Sequence, residues 1–284
     1  MPESISFSSP AKVNYYLRVV GRRPDGFHDL VNVMCRVSLF DEIIMTVGGR
    51  GVSVSADHPE VPPGPTNSVY RAVRLLLDKA GRRVGVDVQI KKGIPVQSGL
   101  GGASSNAASV LARLNELLGL GLTRHELIDL GIQVGSDVPF FLFGSPAVAT
   151  SKGEVLERIE GIVDAWLVIV KPARGISTRE AYEKIDLVLT KDKKNIIIPK
   201  FIGTLDNLVD TMLNDFEPVA ETLLGEITDI KVRLTELGAL GAMLSGSGSA
   251  VFGVFADEAG ARRAHAELSA RSIWNAYVAK NLFD

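Results

Sequence analysis

A glycine- and serine-rich run, SGLGGASSN at residues 98–106, is the segment whose residue types most clearly suit chemistry. Its glycines leave backbone N–H groups without side chains in the way, and helical spacing of apolar residues begins at about Ala103. The first turn of a helix carries partial positive charge and unpaired N–H groups, which suit a phosphate. The run therefore predicts an anion cradle, although a tight strand-to-helix turn capped by Ser104 or Ser105 explains the same residues.

The run differs from the better-known phosphate-binding motifs. The chain contains no Gly-Lys dipeptide and hence no P-loop, and GLGGAS lacks the last glycine of the dinucleotide-binding pattern GxGxxG. The HRD and DFG signatures of protein kinases are also missing. A second run, SGSGS at residues 245–249, is a potential backbone nest for an anion, and a hairpin turn explains it equally well.

The composition is that of an ordinary globular protein. The 284 residues are 46% hydrophobic and 23% charged, and their net charge of -2 provides no general attraction for nucleic acid. Cys35 has no partner for an internal disulfide, and the four histidines lack metal-ligand spacing. The first residues contain no basic segment followed by an apolar one, so we predict neither a signal peptide nor a transit peptide. A reducing cytoplasm fits these features best, and any phosphate recognition must be local.

One uncharged stretch, Gly238 to Ala256, is nearly as long as the roughly 20 residues that a membrane-spanning helix requires. Its five glycines and the SGSGS run interrupt the apolar pattern. The stretch therefore predicts two short strands around a turn, and we expect no membrane partner.

Apolar periodicity predicts an α+β protein with two domains, residues 1–161 and 162–284. Strands are predicted in ISFSSPAKVNYYLRVV, DEIIMTV, GVDVQI, WLVIVK, GALGAML, AVFGVF and NAYVAK. Helices are predicted in TNSVYRAVRLLLDKAG, from Ala103 to about Leu118, from the Thr123 and Glu126 capping box to Gly135, around 178–185 and 204–236, and in DEAGARRAHAELSA.

Several segments together resemble the galactokinase, homoserine kinase, mevalonate kinase and phosphomevalonate kinase superfamily. PVQSGLGGASSNAA is similar to its second signature, and SGSGSAVFG is similar to its third. PAKVNYYLRVVGRRPDGFHDL, GSDVPFF at 135–141 and NDFE at 214–217 narrow the resemblance to members of the non-mevalonate isoprenoid pathway. The resemblance runs from Pro10 to about Phe255.

This resemblance implies a two-domain small-molecule kinase fold. Its N-terminal ATP-binding domain would resemble a ribosomal-protein domain, its C-terminal domain would be an α+β sandwich that binds substrate, and the active site would lie in the cleft between them. The implied reaction is ATP-dependent phosphorylation, with Mg²⁺, of the 2-hydroxyl of a cytidine diphosphate-linked sugar alcohol.

The resemblance implies a role for individual residues of these motifs. Asp137 in GSDVPFF matches the general base of the family, and Lys12 in PAKVN matches the lysine beside it. The substrate contacts are matched by Asn14, Phe27, His28 and Tyr182, with Phe27 and Tyr182 expected to stack on the two faces of cytosine. The ATP site is matched by Pro95, Val96, Gln97, Ser98, Gly99, Leu100, Gly101, Gly102, Ala103, Ser104, Ser105, Asn67 and Ser68.

The chain departs from the family pattern at a few of these positions. Gln97 and Ala103 stand where glycines are common, and Phe27 replaces a tyrosine, which removes a hydroxyl and keeps the stacking surface. Asp29 replaces a glutamate, without an evident chemical consequence. No carboxylate ligand for magnesium is evident, so the ion would be held by phosphates and by the hydroxyl of Ser104 or Ser105.

Each of these residues also has a structural explanation. Asp137 could cap a helix that begins at Val138, Lys12 could be a solvated strand residue, and Phe27 could fill the core. His28 could act through its backbone, and Asn14 could only stabilise its strand.

Two other functions are compatible with parts of the pattern. A homoserine or phosphomevalonate kinase would share the fold, but its N-terminus is not expected to read GRRPDGFHDL. A catalytically silent nucleotide- or RNA-binding module is disfavoured because Lys12 and Asp137 are both present and the net charge is slightly negative.

Overall fold

The computed structural model describes residues 3–188, 198–270 and 273–283, and the chain folds into two compact units. The first unit contains residues 3–11, 40–96 and 101–144, and the second contains residues 12–39, 97–100 and the described residues after 144. The units alternate along the chain because two long strands, β1 (Glu3–Arg22) and β2 (His28–Val47), each contribute residues to both. This division into units has several boundaries along the chain, whereas the sequence predicts a single domain boundary near residue 161. The two domains, 1–161 and 162–284, stay a prediction.

The sheet of the first unit is built around the C-terminal half of β2. Residues Glu42 to Val47 pair antiparallel with β4 (Val86–Lys91), which pairs parallel with β3 (Val52–Ala56). Burial alternates along β4, so that Val86, Val88 and Ile90 face the core. This is the period of two that the GVDVQI pattern predicts.

Helices cover this sheet, and their starts follow from local side chains. They are α1 (Ser68–Lys79), α2 (Gly102–Leu117), α3 (Arg124–Val134) and α4 (Val138–Phe143). The Asn67 amide caps α1, and the predicted capping box of Thr123 and Glu126 at α3 is confirmed. The three longer helices present apolar faces to one another, and α4 is apolar almost throughout.

The second unit contains an antiparallel sheet in the order β2, β11, β7, β10, β9. Strands β5 and β6 extend from the N-terminal half of β2, and β8 pairs in parallel with β1. The strand bounds are β5 (Ala147–Ser151), β6 (Val155–Arg158), β7 (Trp166–Lys171), β8 (Leu213–Asn214), β9 (Gly241–Leu244), β10 (Val251–Phe255) and β11 (Asn275–Leu282).

Five helices of the described residues belong to the second unit: α5 (Thr178–Val188), α6 (Leu205–Asp210), α7 (Glu217–Leu223), α8 (Glu226–Glu236) and α9 (Glu258–Ala270). Helices α8 and α9 pack on β10, β7 and β11 over an apolar core. The helical stretch predicted at 204–236 is in fact three helices. It is interrupted because β8 pairs with β1, Pro218 lies in the first turn of α7, and Gly225 precedes α8.

The uncharged stretch near residue 245 forms the hairpin of β9 and β10, as its glycine and serine residues predict. None of the helices in the described ranges is long and apolar enough to cross a membrane.

A buried carboxylate, that of Asp41 on β2, organises the start of the glycine-rich loop. It accepts hydrogen bonds from the backbone N–H of Gly93 at 2.9 Å and of Ile94 at 2.8 Å, and from the Asn106 amide on α2 at 2.8 Å. It also pairs with the ammonium of Lys92. One charge with no solvent exposure thus joins β2, the segment after β4, and α2.

We predict that Asp41→Asn lowers the free energy of unfolding by about 3 kcal/mol, because it leaves the Lys92 ammonium without its buried counter-charge. The measurement is urea denaturation. Asp78→Asn on α1, which breaks an exposed pair with Arg74, is the control and should cost at most about 0.5 kcal/mol. Equal effects of the two substitutions would contradict this account of Asp41.

Candidate active site

The predicted phosphate loop is divided between the two units, and its second half begins α2. Gly101 is the N-cap residue, with a φ of 74°, and no side chain caps the helix. A turn capped by Ser104 or Ser105 is therefore wrong, because both serines lie inside the first turns of α2. Gly102 and Ala103 are the first two residues of α2, and Gly102 is partly and Ala103 fully exposed. Their backbone N–H groups therefore stand at an accessible helix start. This is the arrangement that an anion requires.

The two serines expected near a metal differ in availability. The Ser105 hydroxyl is fully buried, donates to the carbonyl of Pro10 and shares a 2.7 Å hydrogen bond with Ser9. Ser104 is half-buried, and its hydroxyl lies 3.7 Å from the point where a Cβ on Gly135 would stand. Of the two, Ser104 therefore fits a magnesium ligand better. Among the described residues no group of three or more acidic, histidine or cysteine side chains could hold a metal ion.

Lys92 adds positive charge to the same end of α2. Its ammonium lies 3.2 Å from the position that a Cβ on Gly102 would occupy, and the buried carboxylate of Asp41 holds it there. Pro95 and Val96 follow within the first unit and are half-buried. Lys92 cannot be predicted as a site residue from the sequence, because an isolated lysine before a loop has no motif of its own.

The first half of the loop, Gln97 to Leu100, belongs to the second unit and is held there by backbone hydrogen bonds. The Lys12 N–H donates to the carbonyl of Leu100 at 3.0 Å, and the Ala250 N–H donates to the carbonyl of Ser98 at 3.0 Å. The Ser245 hydroxyl lies 3.2 Å from the Gly99 carbonyl and 3.3 Å from Asn14 Oδ1, and these two acceptors share its single proton. The two glycine- and serine-rich runs of the sequence therefore meet in this unit.

Gln97 adopts a left-handed backbone with a φ of 51°, which explains why glycine suits this position. Its side chain lies against Gly175, where an added Cβ would come within 2.7 Å of the glutamine Oε1. Glycine at 175 thus makes room for the larger residue at 97. Ala103 is an exposed residue of the first turn of α2, a position that accepts alanine without strain.

Asp137 precedes α4 in the first unit and is half-buried. Although it is the N-cap residue, its side chain makes no capping hydrogen bond with that helix. Helix capping therefore does not explain this aspartate. Helix α4 packs against α3, with Val138 lying against Gly131. This packing fixes the backbone next to Asp137 and hence the position of its carboxylate.

Lys12 lies in the second unit and is almost fully buried, so it is not a solvated strand residue. Its ammonium donates to the Asn14 Oδ1 at 2.6 Å. The Gly246 backbone, with a φ of 57°, closes over this pair, because an added Cβ would lie 3.2 Å from the ammonium and 3.4 Å from the Asn14 oxygen. Asn14 is thus engaged with Lys12 and does more than stabilise its strand.

The NDFE motif at 214–217 has a structural role in the second unit. The Asn214 amide donates to the carbonyls of Leu244 and Gly246 at 2.9 and 2.8 Å, and its oxygen accepts from the N–H of Phe216. The Glu217 carboxylate accepts from the N–H of Leu244 at 3.2 Å. The motif therefore fixes the turn that lies over Lys12.

Phe27 lies in the turn between β1 and β2 and is 57% exposed, so it does not fill the core. The Lys152 ammonium stands 4.6 Å from the centre of its ring and forms a 2.9 Å ion pair with Asp25. The hydrogen bond from Lys152 lowers the pKa of the Asp25 carboxyl. The aromatic surface of Phe27 is thus held in place and remains accessible to a ligand.

His28 and Tyr182 contact each other in the second unit. Their rings are 4.9 Å apart at 40°, and Tyr182 also packs edge-on against Phe216 at 4.7 Å. The residue predicted to stack on the other face of cytosine therefore has aromatic neighbours of its own in this unit.

The two residues predicted near adenine lie at the start of α1. The Asn67 amide is buried, accepts from the N–H of Val69 and donates to the carbonyl of Pro62, both at 2.8 Å. Ser68 is the first residue of the helix and is half-buried. The side chain of Asn67 thus builds the turn, whereas Ser68 is partly accessible.

The single cysteine is outside the predicted site. Cys35 is fully buried, and burial raises the pKa of its thiol to about 12. A thiol of this kind is not a nucleophile near neutral pH.

Comparison with known proteins gives consistent results along the whole chain. Residues 67–145 match the GHMP kinases N terminal domain, and residues 198–273 match the GHMP kinases C terminal domain. The chain is 45% identical to the 4-diphosphocytidyl-2-C-methyl-D-erythritol kinase of Syntrophotalea carbinolica over 98% of this chain and 99% of that protein. It is 44% identical to the same kinase of Geotalea daltonii over 99% of this chain and all of that protein.

A solved structure agrees with these relatives. The crystal structure of a 4-(cytidine 5'-diphospho)-2C-methyl-D-erythritol kinase superposes with a TM-score of 0.81 at 32% identity, over 98% of this chain and 99% of that one. Such identity over nearly the full length decides the family, and the chain belongs to the 4-diphosphocytidyl-2-C-methyl-D-erythritol kinases, within the GHMP kinases.

Proposed function

We propose that this chain transfers the γ-phosphoryl group of ATP to the 2-hydroxyl of 4-diphosphocytidyl-2-C-methyl-D-erythritol and releases the 2-phosphate and ADP. The relatives named above carry this acceptor in their names. The observation in this chain that carries the acceptor class is the exposed ring of Phe27, an apolar plane of the kind on which a cytosine base stacks.

The donor end of the reaction is assigned to the first unit. The uncapped start of α2 after Gly101 provides backbone N–H groups for phosphate oxygens, and Lys92 provides a cation beside them. Ser68 at the start of α1 and the segment Pro95 to Val96 are assigned to the rest of the nucleotide. These assignments agree with the uncapped helix start and the partial exposure of the residues concerned.

The acceptor end is assigned to the second unit, where Phe27 directly precedes His28 of β2 and the His28 ring contacts Tyr182 of α5. Phe27 would stack on cytosine, and the His28 and Tyr182 pair would border the same base. Lys152 already lies over Phe27, so a base would approach the remaining exposed surface of the ring.

Asp137 is proposed as the general base and Lys12 as the cation that stabilises the transferring phosphoryl group. The Asp137 carboxylate would accept the proton of the 2-hydroxyl while that oxygen forms its bond to the γ-phosphorus and the bridging oxygen leaves with ADP. Phosphoryl transfer depends mostly on positioning and charge stabilisation, which a buried and held lysine supplies. A half-buried aspartate without a capping role suits the base.

Magnesium would neutralise charge on the β- and γ-phosphates of ATP. Ser104 is the protein residue that fits it, since the Ser105 hydroxyl is engaged by Pro10 and Ser9. We also place the protein in the cytoplasm, where ATP is abundant and a single buried thiol stays reduced.

ADP release with defined acceptors tests the function. The cytidyl acceptor should support turnover, whereas its uridyl analogue, homoserine and phosphomevalonate should support little or none. Turnover with homoserine or phosphomevalonate alone would favour another superfamily kinase. Nucleotide binding without turnover on any acceptor would favour a silent binding module.

We predict that Asp137→Asn lowers kcat about 100-fold or more and changes the Kd for ATP by no more than a few-fold, because it removes the proton acceptor and keeps the shape. The measurements are ADP release and titration with a fluorescent ATP analogue. Asp129→Asn, at an exposed site on α3, is the control and should leave kcat unchanged. Asp137 is not the base if its Asn variant turns over like wild type.

A second prediction concerns the phosphate end. Gly101→Ala should raise the KM for ATP about 10-fold, because a side chain at a φ of 74° strains the backbone that presents the first N–H groups of α2. Gly119→Ala is the matched control, since Gly119 follows the other end of α2 with a φ of 57° and open space around it. Both variants should lose similar stability, so an equal KM for ATP in the two would argue against a cradle at Gly101.

A third prediction concerns the acceptor. Phe27→Leu should raise the acceptor KM by an amount equivalent to about 1 to 3 kcal/mol, the usual value of base–aromatic stacking, and Phe27→Tyr should keep the wild-type KM. The KM for ATP and the melting temperature should barely change, because Phe27 is exposed. Phe40→Leu, at another exposed phenylalanine, is the control. An unchanged acceptor KM in Phe27→Leu would refute cytosine stacking.

A further inference from the structure

Three buried side chains of the second unit form a hydrogen-bonded series that ends at Lys12. The Lys12 ammonium donates to Asn14 Oδ1 at 2.6 Å, and Asn14 Nδ2 donates to Asn32 Oδ1 at 2.7 Å. Lys12, Asn14 and Asn32 are only 3%, 1% and 6% exposed. Asn32 lies on β2, which pairs with the β1 strand that carries the other two residues.

The direction of this series follows from the chemistry of its first member. A lysine ammonium donates hydrogen bonds and accepts none, so the Asn14 amide must turn its oxygen toward Lys12. Its NH₂ group then points the opposite way and needs an acceptor, which the Asn32 oxygen supplies. The Ser245 hydroxyl lies 3.3 Å from the Asn14 oxygen and shares its one proton between this oxygen and the Gly99 carbonyl.

We infer that Asn32 is a positioning residue for Lys12, acting through the orientation of the Asn14 amide; this inference rests on the function proposed above. If the Asn32 oxygen is removed, the Asn14 NH₂ group loses its acceptor, and the orientation that turns the amide oxygen toward Lys12 becomes less favourable. A rotated amide points its N–H donors at the ammonium, which then shifts away from Asn14. The loss of kcat follows because Lys12 stabilises charge that develops in the transition state.

A purely structural role for Asn32 has different consequences. Its backbone pairs with Ala149 of β5 whatever its side chain is, so a structural asparagine would affect mainly the melting temperature. Asn281 on β11 supplies the comparison. It is similarly buried in the same unit. Its amide oxygen accepts from the Tyr15 hydroxyl and its NH₂ group donates to the Val163 carbonyl, and neither partner is a predicted site residue.

The test compares Asn32→Val with Asn32→Thr, two side chains of the same shape of which only threonine offers an acceptor oxygen. Asn32→Val should lower kcat about 10-fold, the effect of one lost hydrogen bond, and leave both KM values within about two-fold. Asn32→Thr should recover most of kcat. Asn281→Val should lower the melting temperature comparably and leave kcat near wild type.

A double-mutant cycle then asks whether Asn32 acts through Lys12. In a Lys12→Met background, Asn32→Val should cost little further kcat, because there is no ammonium left to orient. A wild-type kcat in Asn32→Val, or a full 10-fold loss that persists in the Lys12→Met background, overturns the inference. If the wild-type enzyme releases no ADP with the cytidyl acceptor, the proposed function itself is refuted. Failure of the proposed function is thus seen in the wild-type protein, whereas failure of the inference about Asn32 is seen only in the variants.

Discussion

The part of the second unit that meets the glycine-rich loop is organised around the buried ammonium group of Lys12. Taking the Lys12 charge out of water is costly, so oxygen atoms of the protein must replace the lost hydration. Asn14 supplies one of these oxygens, and its own orientation is set by Asn32 and Ser245. The Asn214 amide fixes the turn that carries Ser245, because it donates to the carbonyls of Leu244 and Gly246. Residues from several separate stretches of the sequence thus stabilise the Lys12 ammonium.

The first unit uses a buried charge of opposite sign in a comparable way. Asp41 has no solvent exposure, and its oxygens are satisfied by two backbone N–H groups, the Asn106 amide and Lys92. Because Asn106 lies on α2 and the N–H groups belong to the segment before the glycine-rich loop, one carboxylate sets the position of both. In each unit, the groups that satisfy a buried ion thus help to hold that unit's share of the loop.

The sequence predicts the elements of this fold well where a local signal exists. The capping box at Thr123, the hairpin around residue 245 and the helix that follows the glycine-rich loop are all confirmed, because each depends on residues close together in the chain. The break in the helix predicted at 204–236 was missed because β8 pairs with a strand about 200 residues earlier, a contact without a local pattern. Lys92, Asp41 and Asn32 were missed for the same reason.

The departures from the family pattern can be understood from the backbone that each position requires. Position 97 needs a left-handed conformation, and glutamine adopts it at a cost that its contact with Gly175 helps to offset. Position 103 is ordinary helix, so alanine there costs nothing. Position 101, in contrast, combines a left-handed φ with the start of α2, and glycine is retained. The loop therefore keeps glycine at 101, where the backbone bends and presents its N–H groups, and at 99, where an added Cβ would collide with the Ser245 carbonyl, whereas positions 97 and 103 accept larger residues.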